Sequence, residues 1–236
     1  MKEILYPCFQ HWPGTIWFYS DPHFGDAEMQ DYRKNYISDD EQVKRINSKV
    51  GKDGTIVFLG DIGDVEFIKK IKGYKVLIMG NHDSGATNYR RVVNILEQEY
   101  FNPYCSIIKK QEDNKLFDEV YTGCLMIADN IILSHEPVDF KYALNIHGHD
   151  HAGSDFMQHV LKYYDADMPL DKIVDNYLAT IKADNLNKLN VCAEWINYTP
   201  INLQKIVKSG ILHSIPDVHR DTIDTATLRK SKRNKC

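Results

Sequence analysis

Five short stretches carry side chains able to hold hard or borderline metal cations. They are Asp21-Pro22-His23, Gly60-Asp61-Ile62-Gly63-Asp64, Gly80-Asn81-His82-Asp83, Ser134-His135-Glu136 and Gly148-His149-Asp150-His151. Carboxylate oxygen and imidazole nitrogen suit manganese, iron, zinc or nickel, whereas a structural thiolate zinc site needs paired cysteines. The five cysteines (Cys8, Cys105, Cys124, Cys192, Cys236) are scattered and form no C-x-x-C. The supply of donors is enough for two cations and excessive for one. Two divalent cations about 3.5–4 Å apart can clamp a phosphate, polarise phosphorus and generate hydroxide at neutral pH. Glycines before Asp61, Asn81 and His149 permit the tight turns that bring separate loops together.

Each stretch follows a run that reads as a β-strand: 15–20, 55–59, 75–79, 130–133 and 143–146. Their continuous apolar character predicts strands buried on both faces. The crevice beyond the carboxyl ends of strands is where α/β folds build sites. Ser38 with Glu41 predicts a capping box opening a helix through Val50, with Val43, Ile46 and Val50 on one face. Further helices are expected at 65–72 and 88–99, and near 202–208. Segment 155–188 reads as a helical insertion: Phe156, Val160, Leu161 and Tyr164 keep helical spacing, and Pro169 opens a second helix through Ile173, Val174, Tyr177, Leu178 and Ile181. Leu189 to Trp195 reads as a closing strand. Strands alternating with helices predict a layered α/β domain over 1–212, followed by a helical, basic tail over 213–236 with Arg229, Lys230, Lys232, Arg233 and Lys235.

Composition bounds the function. An apolar fraction of 43% and a charged fraction of 26% fit a folded globular chain of 236 residues. A formal net charge of -4 excludes a strongly basic nucleic-acid coat and leaves local patches open. No apolar run reaches the roughly 20 residues of a membrane helix, and the first thirteen residues make a poor signal peptide. Scattered thiols fit a reducing compartment, so a cytoplasmic location is expected.

The order D-x-H, G-D-x-x-D, G-N-H-D, H, G-H-x-H across residues 21–151 resembles the calcineurin-like metallophosphoesterase family. Asn190 to Trp195, with Tyr198-Thr199-Pro200, looks like the closing strand of its small bacterial and phage predicted phosphoesterases. The resemblance implies a four-layer α/β/β/α sandwich of two mixed sheets with flanking helices. It implies one divalent ion on Asp21, His23, Asp61 and His151, and a second on Asp61, Asn81, His135 and His149, with manganese the first expectation. The implied chemistry is hydrolysis of a phosphate ester by a metal-bridging hydroxide. His82 matches the residue that binds the phosphate or protonates the leaving oxygen, and Asp64 or Asp83 would support it. Val65 after Asp64 departs from the protein-phosphatase branch, and Asp26 stands where the small branch often has histidine.

Taken singly, each motif is more often a turn or a satisfied surface pair than a ligand set; five in family order at strand ends point to metal. The expected substrate is a small phosphate ester or nucleotide, with phosphodiesters ahead of monoesters or a pyrophosphate bond. Nucleic acid is a further candidate through the basic tail, no membrane partner is expected, and a non-catalytic scaffold is the rival of another class. His147 reads either as support behind the site or as packing. Arg90 and Arg91 read as helix-surface residues or phosphate contacts.

Overall fold

The computed structural model describes residues 4–33, 35–85, 92–94, 106–110, 116–151 and 169–216. In chain order these form β1 (Ile16–Tyr19), α1 (Ala27–Tyr32), α2 (Asp39–Val50), β2 (Thr55–Phe58), α3 (Glu66–Lys70), β3 (Tyr74–Ile78), β4 (Val92–Asn94), β5 (Ser106–Lys110) and β6 (Glu119–Thr122). There follow β7 (Leu125–Ala128), β8 (Ile131–Leu133), β9 (Leu144–His147), α4 (Leu170–Ala183), β10 (Lys188–Asn190), β11 (Ile201–Asn202) and α5 (Leu203–Ser209).

Two mixed sheets with flanking helices make an α/β sandwich, as expected. One sheet runs β11-β1-β2-β3-β6-β5-β4, with β1, β2, β3 and β6 parallel and the remaining neighbours antiparallel. The other runs β10-β9-β8-β7, parallel except where β7 meets β8. Strands β2 and β9 are buried along their whole length, as strands covered on both faces must be. Phe18, Ile56, Val57, Phe58, Val76 and Leu77 form the centre of the larger sheet's core, and Leu133, Leu144 and Ile146 that of the smaller.

Helix α2 shows how local sequence sets an element. Ser38 Oγ accepts from the Glu41 amide at 3.3 Å, and Val43, Ile46 and Val50 are buried along one face. The Glu41 carboxylate does not return to Ser38; it pairs with Lys44 and Arg45 one turn on, so the box is one-sided. Helix α5 is capped by the Asn202 side chain on the Lys205 amide and stops at left-handed Gly210.

Two expectations are corrected. Val92–Asn94 is a strand paired antiparallel with β5, not part of a helix over 88–99. Adjacent β-branched valines suit an edge strand, and the open flank of the sheet overrides a helix-like apolar spacing. The closing strand ends at Asn190, not Trp195. The Asn190 side chain accepts from the Cys192 amide at 2.8 Å, and the chain then turns so that the Tyr198 amide meets the Ala193 carbonyl at 2.7 Å. Helix α4 follows Pro169 as expected; residues 156–164, Arg90, Arg91 and the basic tail lie outside the described residues. No helix among the described residues is long and apolar enough to cross a membrane.

Candidate metal centre

Backbone pairing continues past the strands and delivers the loops to one place. The Asp21 amide bonds the Gly60 carbonyl (3.0 Å), the His23 amide that of Asp61 (3.1 Å) and the Phe24 amide that of Ile62 (3.0 Å). The loop after β1 is therefore laid along the loop after β2. An isolated parallel bridge, Ser20 to Cys192, joins the end of β1 to the segment after β10 and so ties the two sheets together at this end. The Gly148 amide bonds the His135 carbonyl at 2.9 Å, aligning the loops after β8 and β9.

Close approach is possible because glycines stand at the contact points. A Cβ on Gly148 would lie 2.0 Å from Ser20 Oγ and 2.3 Å from Asp21 Oδ2. One on Gly80 would lie 2.2 Å from Asp61 Oδ1. The backbone is strained at the same place. Seven non-glycine residues among those described have positive φ, and four of them are Asp21 (54°), His23 (48°), Asp61 (52°) and His149 (68°). Such conformations cost about 1–3 kcal/mol each and persist where surrounding structure over-determines them.

Ligand atoms of Asp21, His23 and His151 lie within 4.8 Å of one another, as do those of Asp21, Asp61 and His135. Asp61 Oδ2 is 3.7 Å from His23 Nε2 and 3.5 Å from His135 Nε2, between the two groups. His151 Nε2 is 3.7 Å from Asp21 Oδ1. Atoms each about 2.0–2.2 Å from a shared cation sit roughly 3–3.6 Å apart, close to these spacings. Asn81 Oδ1, His135 Nε2 and His149 Nδ1 form a third convergence, with separations of 2.7, 3.1 and 3.2 Å.

The hydrogen-bond accounts of Asp21 and His23 are incomplete. Asp21 Oδ2 accepts from the His149 amide at 3.0 Å and the Cys192 thiol at 3.1 Å. Asp21 Oδ1 and His23 Nε2 are buried and have no hydrogen-bond partner among the described residues. Leaving such atoms unsatisfied costs about 1–3 kcal/mol each, and a cation would satisfy both at once. Burial, reinforced by Arg33, pushes the His23 imidazole down to about 4, so its lone pair is free at neutral pH. Burial raises Asp21. Burial also works against a charged His151, but the bond and charge of Glu194 outweigh it and raise its pKa.

Asp83 and Asp64, the two carboxylates expected to support His82, have these hydrogen-bond partners. Asp83 is buried and accepts from the Gly80 amide (2.8 Å), the Asp61 amide (2.9 Å) and the Ile62 amide (3.0 Å). It fixes the backbone that carries Asp61. The Asp64 carboxylate accepts from the Glu66 amide at 2.9 Å and lies outside both convergent groups. The His82 amide donates to Asp61 Oδ1 at 2.9 Å, while its imidazole is 67% exposed, with Nε2 4.0 Å from Asp61 Oδ2. That ring stands at the open edge of the centre, 5.5 Å from the His23 ring. Asp26 caps α1 through Oδ1 and places Oδ2 3.6 Å from His23 Nδ1. His147 Nδ1 engages the Gly148 carbonyl at 2.8 Å.

Sequence reasoning missed Arg33 and Glu194. Glu194 Oε1 is 2.7 Å from His151 Nδ1, and Arg33 holds the carbonyls of Asp21 and Pro22. The one signal for Glu194 was an acid inside the expected closing strand, Leu189 to Trp195; nothing marked Arg33.

No family model matches the chain, and no curated protein does. Among solved structures, a protein of unknown function from Aquifex aeolicus is similar with a TM-score of 0.46 and 19% identity, over 82% of this chain and 98% of that one. The nuclease MPE of Pseudomonas putida is similar with a TM-score of 0.35 and 17% identity, over 57% of this chain and 60% of its own length.

Proposed function

We propose that this chain is a metal-dependent hydrolase of phosphate esters, phosphodiesters foremost, working with two divalent ions. The observation that carries the reading is the pair of buried, unpartnered atoms, Asp21 Oδ1 and His23 Nε2, within a converging set of carboxylate and imidazole donors. That donor set suits manganese first, and also iron, zinc or nickel. Asp21, His23, Asp61 and His151 would hold one ion, and Asp61, Asn81, His135 and His149 the other, with Asp61 shared. When bound, the ions would polarise the phosphate and supply hydroxide at neutral pH.

The chain's own groups divide the remaining work. Asp83 holds the Gly80 to Ile62 backbone so that Asp61 and Asn81 face one point. The exposed His82 imidazole can meet a substrate oxygen, bind a phosphate or give a proton to the leaving group. Two ions and His82 would serve diesters and monoesters alike, so a phosphomonoesterase or nucleotide pyrophosphohydrolase on the same site is the alternative.

The test is hydrolysis of bis-p-nitrophenyl phosphate and p-nitrophenyl phosphate by metal-stripped protein reloaded with manganese, nickel, zinc or magnesium. Metal-dependent turnover, faster on the diester, is expected. Two ions bound with no turnover of either ester would move the reading to a scaffold that kept its metals.

A further inference from the structure

Arg33 and Glu194 stand outside the proposed ligand set, yet they complete a closed circuit around half of it. Both side chains are buried, 1% and 2% exposed, and Arg33 Nε lies 3.2 Å from Glu194 Oε2. Arg33 Nη2 donates to the Asp21 carbonyl at 2.6 Å and Nη1 to the Pro22 carbonyl at 3.1 Å. Glu194 Oε1 meets His151 Nδ1 at 2.7 Å, and His151 Nε2 faces Asp21 Oδ1 at 3.7 Å. The circuit runs from the Asp21 backbone through Arg33, Glu194 and His151 back to the Asp21 carboxylate.

We propose that Arg33 and Glu194 are positioning residues that set the affinity of one cation position, that of Asp21, His23 and His151, independently of the other. The inference rests on the metal-centre reading above. An ionised carboxylate only accepts, so His151 Nδ1 is the donor and its Nε2 lone pair is aimed at the unpartnered Asp21 oxygen. Arg33 Nε faces Glu194 Oε2, so the buried acid is paired with a buried cation. One N–H on each of Nη1 and Nη2 holds the backbone on which Asp21 keeps a φ of 54°.

The other position is supported differently. His135 Nδ1 meets the Leu59 carbonyl at 2.7 Å, a neutral acceptor. A carboxylate behind an imidazole raises ligand basicity more than a carbonyl does. The two positions are therefore unequal, and the difference is carried by Glu194 and Arg33.

The experiment titrates the metal-stripped full chain with manganese, reading free ion by its electron paramagnetic resonance signal. The wild type should bind two ions in separable phases. Glu194→Gln, close to isosteric, should weaken one phase by about 10–100-fold and leave the other unchanged. Equal weakening of both phases, or no change in either, overturns the inference. Wild-type protein that binds no manganese would overturn it together with the reading on which it rests. A second measurement needs no variant: nitrogen-15 resonances of the zinc-loaded wild type should show His151 protonated at Nδ1. Protonation at Nε2 overturns the inference whatever the variant does.

Discussion

The parallel strands of the larger sheet have a buried carboxylate at each end, and the two are built to opposite specifications. At the amino ends of β3 and β6, Glu119 accepts from Trp12 Nε1 (2.9 Å), Tyr74 Oη (2.7 Å) and Tyr121 Oη (2.6 Å), and it also contacts His11 Nε2. Both oxygens are satisfied by protein. Burial alone would raise this carboxyl, but the bonds from Tyr121, His11, Tyr74 and Trp12 win and hold it below the ordinary range. At the carboxyl ends, Asp21 is equally buried, one oxygen has no partner, and burial raises its pKa. The backbone around it holds left-handed conformations that non-glycine residues avoid. A satisfied carboxylate pins the chain: Glu119 anchors the segment of His11 and Trp12 to the sheet. An unsatisfied one in a strained loop supports the metal centre proposed above.

Substitutions at the two ends should separate activity from stability. Asp61→Ala is expected to have the largest effect, lowering metal-dependent ester hydrolysis by on the order of 10³-fold or more, because it removes the carboxylate between both groups. Steady-state assays at saturating manganese check this. His82→Ala should cost roughly 10²–10⁴-fold in turnover while metal content stays unchanged, since its ring belongs to neither convergent group. A loss of metal in that variant would make His82 a ligand and redraw the centre.

Glu119→Gln should leave metal content and turnover alone but lower unfolding free energy by roughly 2–3 kcal/mol in urea titrations. Its pH dependence has a definite sign. Because the folded pKa is depressed, the carboxylate stabilises the fold above the ordinary carboxylate range and loses that contribution as pH falls through the lowered value. The wild type should lose stability faster than Glu119→Gln on acidification. Asp21→Asn should show the smallest change and the opposite character. Metal-free, it should be as stable as wild type or more so by about 1 kcal/mol, because a buried carboxylate with one unpartnered oxygen becomes a neutral amide. Added metal should then raise the melting temperature of the wild type but not of the variant.

The carboxyl end was more legible in sequence than the amino end, for a physical reason. Apolar runs followed by Asp, Asn or His marked where strands stop, and the structure sets Asp21, Asp61, Asn81, His135 and His149 just beyond β1, β2, β3, β8 and β9. Strands β1, β2, β3, β8 and β9 were legible for the same reason: they are buried on both faces and read as continuous runs. Supporting contacts were not legible, because they join residues far apart in sequence. Nothing local to Arg33 marks it as the partner of Glu194, and nothing near Asp83 says that its carboxylate accepts from the Asp61 and Ile62 amides. Edge strands failed too: Val92–Asn94 owes its conformation to the β5 partner more than to its own spacing.

The most direct test of the central claim counts divalent metal per chain by elemental analysis, after reloading and exhaustive dialysis, in the wild type, Asp61→Ala and Glu119→Gln. Two ions in the wild type and in Glu119→Gln, with fewer in Asp61→Ala, is the predicted result. A wild type that retains none, or a count that does not fall in Asp61→Ala, would contradict the metal centre itself.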